Sequence, residues 1–104
     1  MNQQTICAAI RAKDTLKLRY DRDAQQRLFA PYIVYKAGTG NVLLAGYQIN
    51  NPAEPSASNE WRNLTVSKLK SVETSGGTFT VDPAFDPLDE RYRGRITCCV
   101  SKYG

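Results

Sequence analysis

The stretch "RLFAPYIVYKAGTGNVLLAGY", residues 27–47, decides how this chain is read. Two runs rich in aromatic and β-branched residues, 27–36 and 42–49, flank a short Gly/Thr/Asn segment of the kind that permits positive φ. That is the pattern of a β-hairpin. A phosphate-cradling loop would need its glycines at the mouth of a helix with Lys-Ser/Thr following. Gly38 and Gly40 instead lead into Asn41-Val42-Leu43-Leu44-Ala45, so the glycines read as architecture. Pro31 stands inside the first run, and because proline donates nothing to a ladder, that point must be an edge, a bulge or a bend. The second run is apolar at both parities, which predicts a strand covered on both faces, one of them by an N-terminal helix or another subunit.

Working outward, Ile6, Ala9, Ile10 and Lys13 follow helical spacing and predict a short amphipathic helix over 3–13. Leu16, Leu18 and Tyr20 alternate with Lys17 and Arg19, a half-buried strand before the polar turn "DRDAQQ". The segment "NNPAEPSASN", residues 50–59, has the composition of an exposed loop. A fourth strand is expected over 61–66, with Arg62, Leu64 and Val66 on one face and Lys68 continuing that parity. "SGG" at 75–77 is expected to turn the chain into a short strand, "TFTV". "FDPLDERY" reads as a helix start, with Asp86 as N-cap, Pro87 at the first position and Asp89 in the first turn. Alternation over 95–102 predicts a last strand. Five or six short strands with one N-terminal helix predict a mainly β fold, a small, strongly bent antiparallel barrel formed by residues 1–104 as one domain.

The sequence contains no histidine. Serine–histidine and cysteine–histidine nucleophile pairs are thereby excluded, and so is the commonest nitrogen ligand for zinc. No Cys-x-x-Cys spacing occurs, and Asp82, Asp86, Asp89 and Glu90 lack the Asp-x-Asp loop with closing Glu of a cation site. The reading is therefore a non-enzyme with no catalytic residue, no metal and no cofactor. "MNQQTICAAI" has no apolar leader segment, and no run approaches the ~18 residues needed to span a bilayer. A cytoplasmic protein without membrane contact is expected. The three cysteines fit that, being odd in number and without disulfide-like spacing. Cys98 and Cys99 are strand neighbours whose side chains point to opposite faces, so they do not pair with each other, and the expectation is buried, inert thiols.

Fourteen Lys and Arg against ten Asp and Glu give a net charge of +4, which favours polyanionic partners. Arg27 shares the parity of Phe29, while Arg62 and Lys68 bracket Leu64 and Val66. A charge is not buried unpaired, so these three belong at the barrel rim. Guanidinium groups held there make pre-oriented donors for phosphate, and Tyr20, Tyr32, Tyr47 and Trp61 offer stacking surfaces. The alternative is that the aromatics are core and the arginines pair with Asp21, Asp23 or Glu60. Arg62 and Lys68, six positions apart, meet only if the strand bends or ends between them. Arg91, Arg93 and Arg95 form a second basic cluster that reads as solvated surface.

Taken in order, "ICAAIRAKDTLKLRY", "RLFAPYIV", "GNVLLAGY" and "RNLTVSKL" resemble the WYL domain, a bacterial ligand-sensing module with an Sm-like barrel fold. They are similar, in turn, to its opening helix and first strand, its Arg-x-x-x-Pro, the place of its naming motif, and its Arg-x-Phe-x-Leu-x-Arg-Ile segment. The resemblance spans roughly residues 5–73. Val42, Leu43 and Leu44 stand where the family has Trp-Tyr-Leu, Leu64 replaces Phe, and Lys68 replaces Arg, keeping the charge without the bidentate fork. The resemblance implies a regulator of transcription that binds single-stranded nucleic acid or a nucleotide-like anion, with Arg27, Arg62 and Lys68 at the family's basic positions and Tyr20 beside them. Family members usually carry a helix-turn-helix domain ahead of the module. A chain with no room for one is expected to act alone, as a homodimer, or with a separate DNA-binding partner. The competing expectation from the residues themselves is a protein-interaction or dimerisation module that uses the apolar strand 42–49.

Overall fold

A computed structural model describes residues 2–101. The elements run α1 (Asn2–Ala12), β1 (Asp14–Tyr20), β2 (Arg27–Lys36), β3 (Val42–Asn50), β4 (Glu60–Thr65), β5 (Leu69–Thr78) and β6 (Ile96–Cys99). All strand pairings are antiparallel, and the sheet order is β4-β3-β2-β1-β5 with β6 on β2. The edge strands β4 and β5 are separated in sequence only by the 3-10 helix Val66–Lys68. Three residues span at most ~10 Å, whereas the edges of a flat five-strand sheet lie ~19 Å apart. The sheet must therefore curl back on itself. It does not close, since β4 and β5 do not pair, so the expected barrel is an open one.

The β2–β3 hairpin forms as the sequence predicts, closed by Ala37 N–H to Asn41 O at 2.8 Å and Gly40 N–H to Ala37 O at 2.9 Å. β2 explains the proline inside it. One edge pairs with β3 along its length, while the other is divided between β1, at Arg27–Phe29, and β6, at Ile33–Tyr35. Pro31 falls between those two partners, where no ladder donor is required, and the β2–β3 register shifts just beyond it.

Ile6, Ala9 and Ile10 of α1 join Leu16, Leu18, Phe29, Val34, Leu44 and Leu64 in one core cluster. The other side of β2 to β4 is covered by the chain between β5 and β6. There Phe85 packs on Tyr32 at 5.0 Å and on Trp61 at 5.8 Å between ring centroids, and Tyr92 packs on Tyr35 at 4.8 Å. The both-face coverage expected of β3 is thus supplied within the chain, and Tyr47 is its one exposed large apolar residue.

Three expectations are corrected. The strand foreseen at 78–81 lies earlier, because β5 runs through Ser75-Gly76-Gly77: Gly76, at φ +90°, absorbs the register shift between the pairs Leu16–Thr74 and Asp14–Thr78. No α-helix follows Asp86; its Oδ1 accepts only Leu88 N–H, and Asp89 caps a 3-10 turn at Glu90–Tyr92. Finally, two of the cysteines are not free thiols. Cys7 of α1 and Cys98 of β6, 91 residues apart, form a disulfide with Cα atoms 5.8 Å apart, and Cys99 alone remains free. No helix among the described residues is long and apolar enough to cross a membrane.

Candidate functional site

Of the four residues singled out in the sequence, Tyr20 and Arg27 are in direct contact, while Arg62 stands on β4 opposite Gly46 and Lys68 ends the 3-10 turn that follows β4. Tyr20 ends β1. Its hydroxyl accepts Thr65 N–H at 3.0 Å and so ties β1 to the edge strand β4, while Asp21 N–H donates to Lys68 O at 2.7 Å and extends the β1–β5 pairing one residue beyond Tyr20–Leu69. Arg27 opens β2 and lies over the Tyr20 ring, 5.3 Å from its centroid. Its Nε and Nη2 donate to the two oxygens of Asp23 at 2.7 and 3.0 Å, and Nη1 donates to Gln48 Oε1 at 3.0 Å. Gln48 is fully buried and gives its own amide N–H to Ala57 O. Every bond in this relay is internal, so Arg27 is a positioned, already neutralised cation.

Asp23 shows the strength of that pairing. Burial alone would raise its carboxyl, yet hydrogen bonds from Arg27 and from Tyr20 N–H, together with the charge of Arg27, hold it below the ordinary 3.8. A carboxylate lowered in the folded state contributes stability that is present above the unfolded-state value and lost as pH falls through the folded one. Asp23→Asn is expected to cost about 2 kcal/mol at neutral pH, between the limits for exposed and buried pairs. The gap between wild type and variant in urea midpoints should close below about pH 4; a gap constant across pH would show that the ion pair is not its source.

Arg62 is held differently. It lies opposite Gly46, and Glu60 opposite Gln48, so both share the face of the Arg27–Gln48 relay. Its neighbour Trp61 points the other way, into the aromatic cluster. Arg62 contacts Glu60 through Nη2, with both side chains about two-fifths exposed, but its Nε is buried with no hydrogen-bond partner. Lys68 is exposed and, among the described residues, has no ion pair. The parity expected of Lys68 does not apply, because β4 ends at Thr65 and a 3-10 turn carries the chain to β5. That ending is what brings position 68 back toward Tyr20.

Elsewhere, a concavity of about 290 Å³ opens beside Trp61, Phe85 and Tyr92 and is rimmed by Asp82, Asp86 and Asp89. Arg91 reaches into it, pairs with Asp89 at 3.0 Å and lies 5.8 Å from the Tyr92 ring centroid. Sequence reading missed this feature because it took the acidic residues as helix caps and the aromatics singly.

No protein-family model and no curated protein matches the sequence. The fold, however, has a solved counterpart. The chain is similar to a segment of proteasome accessory factor B/C (PafBC) of Arthrobacter aurescens, with a TM-score of 0.64 and 15% identity. The likeness covers 82% of this chain and 13% of that one. At such identity it establishes a shared fold, and this chain spans only about an eighth of the length of that protein.

Proposed function

We propose that the protein is a non-enzymatic regulatory module that binds the phosphate of single-stranded nucleic acid or of a nucleotide-like ligand at the open seam of its sheet. Arg62 and Lys68 supply the charge, and Tyr20 and the Arg27–Asp23 pair form the frame. The observation that carries this reading is the buried, unpartnered Nε of Arg62. A guanidinium N–H without a partner is a strong donor that an anionic oxygen would satisfy. The net charge of +4, the resemblance to the WYL domain and the fold shared with a protein named as an accessory factor support the same reading.

Fluorescence anisotropy with a labelled single-stranded oligonucleotide, competed by mononucleotides, tests it. Affinity should fall steeply with salt as counterions are released, and Arg62→Ala and Lys68→Ala should each weaken binding by about 1 kcal/mol or more. Glu60→Gln should tighten it by freeing Arg62. Absence of binding at low salt, or a Glu60→Gln variant that binds more weakly, would remove the proposal. Effective competition by a mononucleotide would make the small ligand, rather than the strand, the natural occupant.

A further inference from the structure

The Cys7–Cys98 disulfide ties α1 to β6, and its surroundings differ from those of a purely structural cross-link. A surface cleft of about 240 Å³ opens on the Cys7 side, lined by Gln3, Gln4, Cys7, Arg11 and Thr97. Cys98 does not line it. Arg11 is one helical turn beyond Cys7 on the same face of α1, is exposed, and has no ion-pair partner among the described residues. Neither the first turn of α1 nor the cleft lining contains a carboxylate. A small thiol can therefore approach one sulfur of the pair from outside, past a cation that favours the anionic form of the attacking group.

We infer that Cys7–Cys98 is a thiol–disulfide exchange site, entered at the Cys7 sulfur by an anionic thiol that Arg11 attracts. The incoming thiolate bonds to Cys7 Sγ, the Cys7–Cys98 bond breaks, and Cys98 leaves as a thiolate that takes up a proton. A second thiol of the reductant then attacks the mixed disulfide and releases Cys7. In sum, two electrons and two protons pass to the protein, and a dithiol, or two monothiols, becomes a disulfide. Cys99 does not compete as attacker, because burial raises its thiol above the ordinary value and keeps it protonated. Reduction leaves α1 on the sheet through Ile6, Ala9, Ile10 and the bond from Asn2 Nδ2 to Leu69 O at 3.1 Å, without its covalent tie to β6.

The test follows reduction of the Cys99→Ser protein by three thiols at equal thiolate concentration: 2-mercaptoethanesulfonate, 2-mercaptoethanol and cysteamine. Rates should be first order in thiol and flat with urea well below the unfolding midpoint. The mixed disulfide, trapped by acid and located by mass spectrometry, should sit on Cys7. Arg11→Gln should slow the 2-mercaptoethanol thiolate, of charge −1, about fivefold, the size of one nearby charge–charge interaction in water, slow the doubly negative sulfonate thiolate more, and leave cysteamine, net neutral as the attacking thiolate, unchanged. Rates that rise with urea along the full slope of global unfolding would overturn the inference, as would a mixed disulfide on Cys98. An equal effect of Arg11→Gln on all three thiols would do the same, since charge attraction would then play no part.

Discussion

Replacing both Cys7 and Cys98 with serine is expected to lower the unfolding free energy by about 4 kcal/mol, the loss of a cross-link that closes a loop of this length. The disulfide joins positions 91 residues apart, so it restricts nearly the whole unfolded chain. Without it the two ends rely on modest contacts. β6 is four residues long and pairs with β2 at three positions, and α1 contributes four buried side chains. For a domain near this size, such a loss corresponds to a melting temperature lower by roughly 15–30 °C. Urea unfolding with and without reductant is the measurement. Reductant should bring the wild type down to the level of the double variant and leave that variant unmoved, while Cys99→Ser should stay within about 0.5 kcal/mol of wild type in both conditions. A double variant as stable as the oxidised wild type would show that packing of α1 and β6 suffices.

The disulfide was also the feature least legible in the sequence, and the reason is physical. Hairpins and strands are written in local periodicity, so the boundaries of β2 agree with the pattern of residues 27–36 and β3 with 42–49 to within one residue. Pro31 was readable as an edge, a bulge or a bend because the missing N–H is a property of the residue itself, and it stands where β2 changes partner and its register with β3 shifts. A pairing between Cys7 and Cys98 depends instead on where α1 settles across the sheet, and no spacing encodes that. Elements with too little period were misplaced. In β5, two consecutive glycines look like a turn yet lie in a strand, where one of them accommodates a register shift. Asp86 has the side chain of a helix cap, but Asp-Pro-Leu-Asp is completed here as successive turns.

The candidate site was half legible. The alternative in which the arginines pair with nearby carboxylates is realised for both, Arg27 with Asp23 of the turn before β2 and Arg62 with Glu60 of β4. The consequence is a division of labour among similar residues. Arg27, bonded twice to Asp23, is neutralised within the chain, whereas Arg62 keeps its Nε unpartnered beside Glu60.

Gly46→Ala should be the most damaging single-methyl change in the sheet, with an expected loss of about 3 kcal/mol, at the upper end for overpacking a core. A Cβ at this position would run into the backbone oxygen of Ala30 and lie 2.7 Å from Phe29 Cε2 and 3.1 Å from Pro31 Cα. None of these can swing aside. The Ala30 carbonyl belongs to a strand paired on both edges, Phe29 is fully buried, and Pro31 is fixed by its ring at the point where β2 changes partner. The same displacement would push β3 from β2 directly opposite Arg62, so anion affinity should fall together with stability. Gly40→Ala is the control: it has open space around it and only the strain of φ +94°, for an expected loss of about 1 kcal/mol. Urea midpoints of the two variants measured side by side decide the matter. If Gly40→Ala proves the costlier, backbone conformation rather than the close approach of β2 and β3 limits this hairpin.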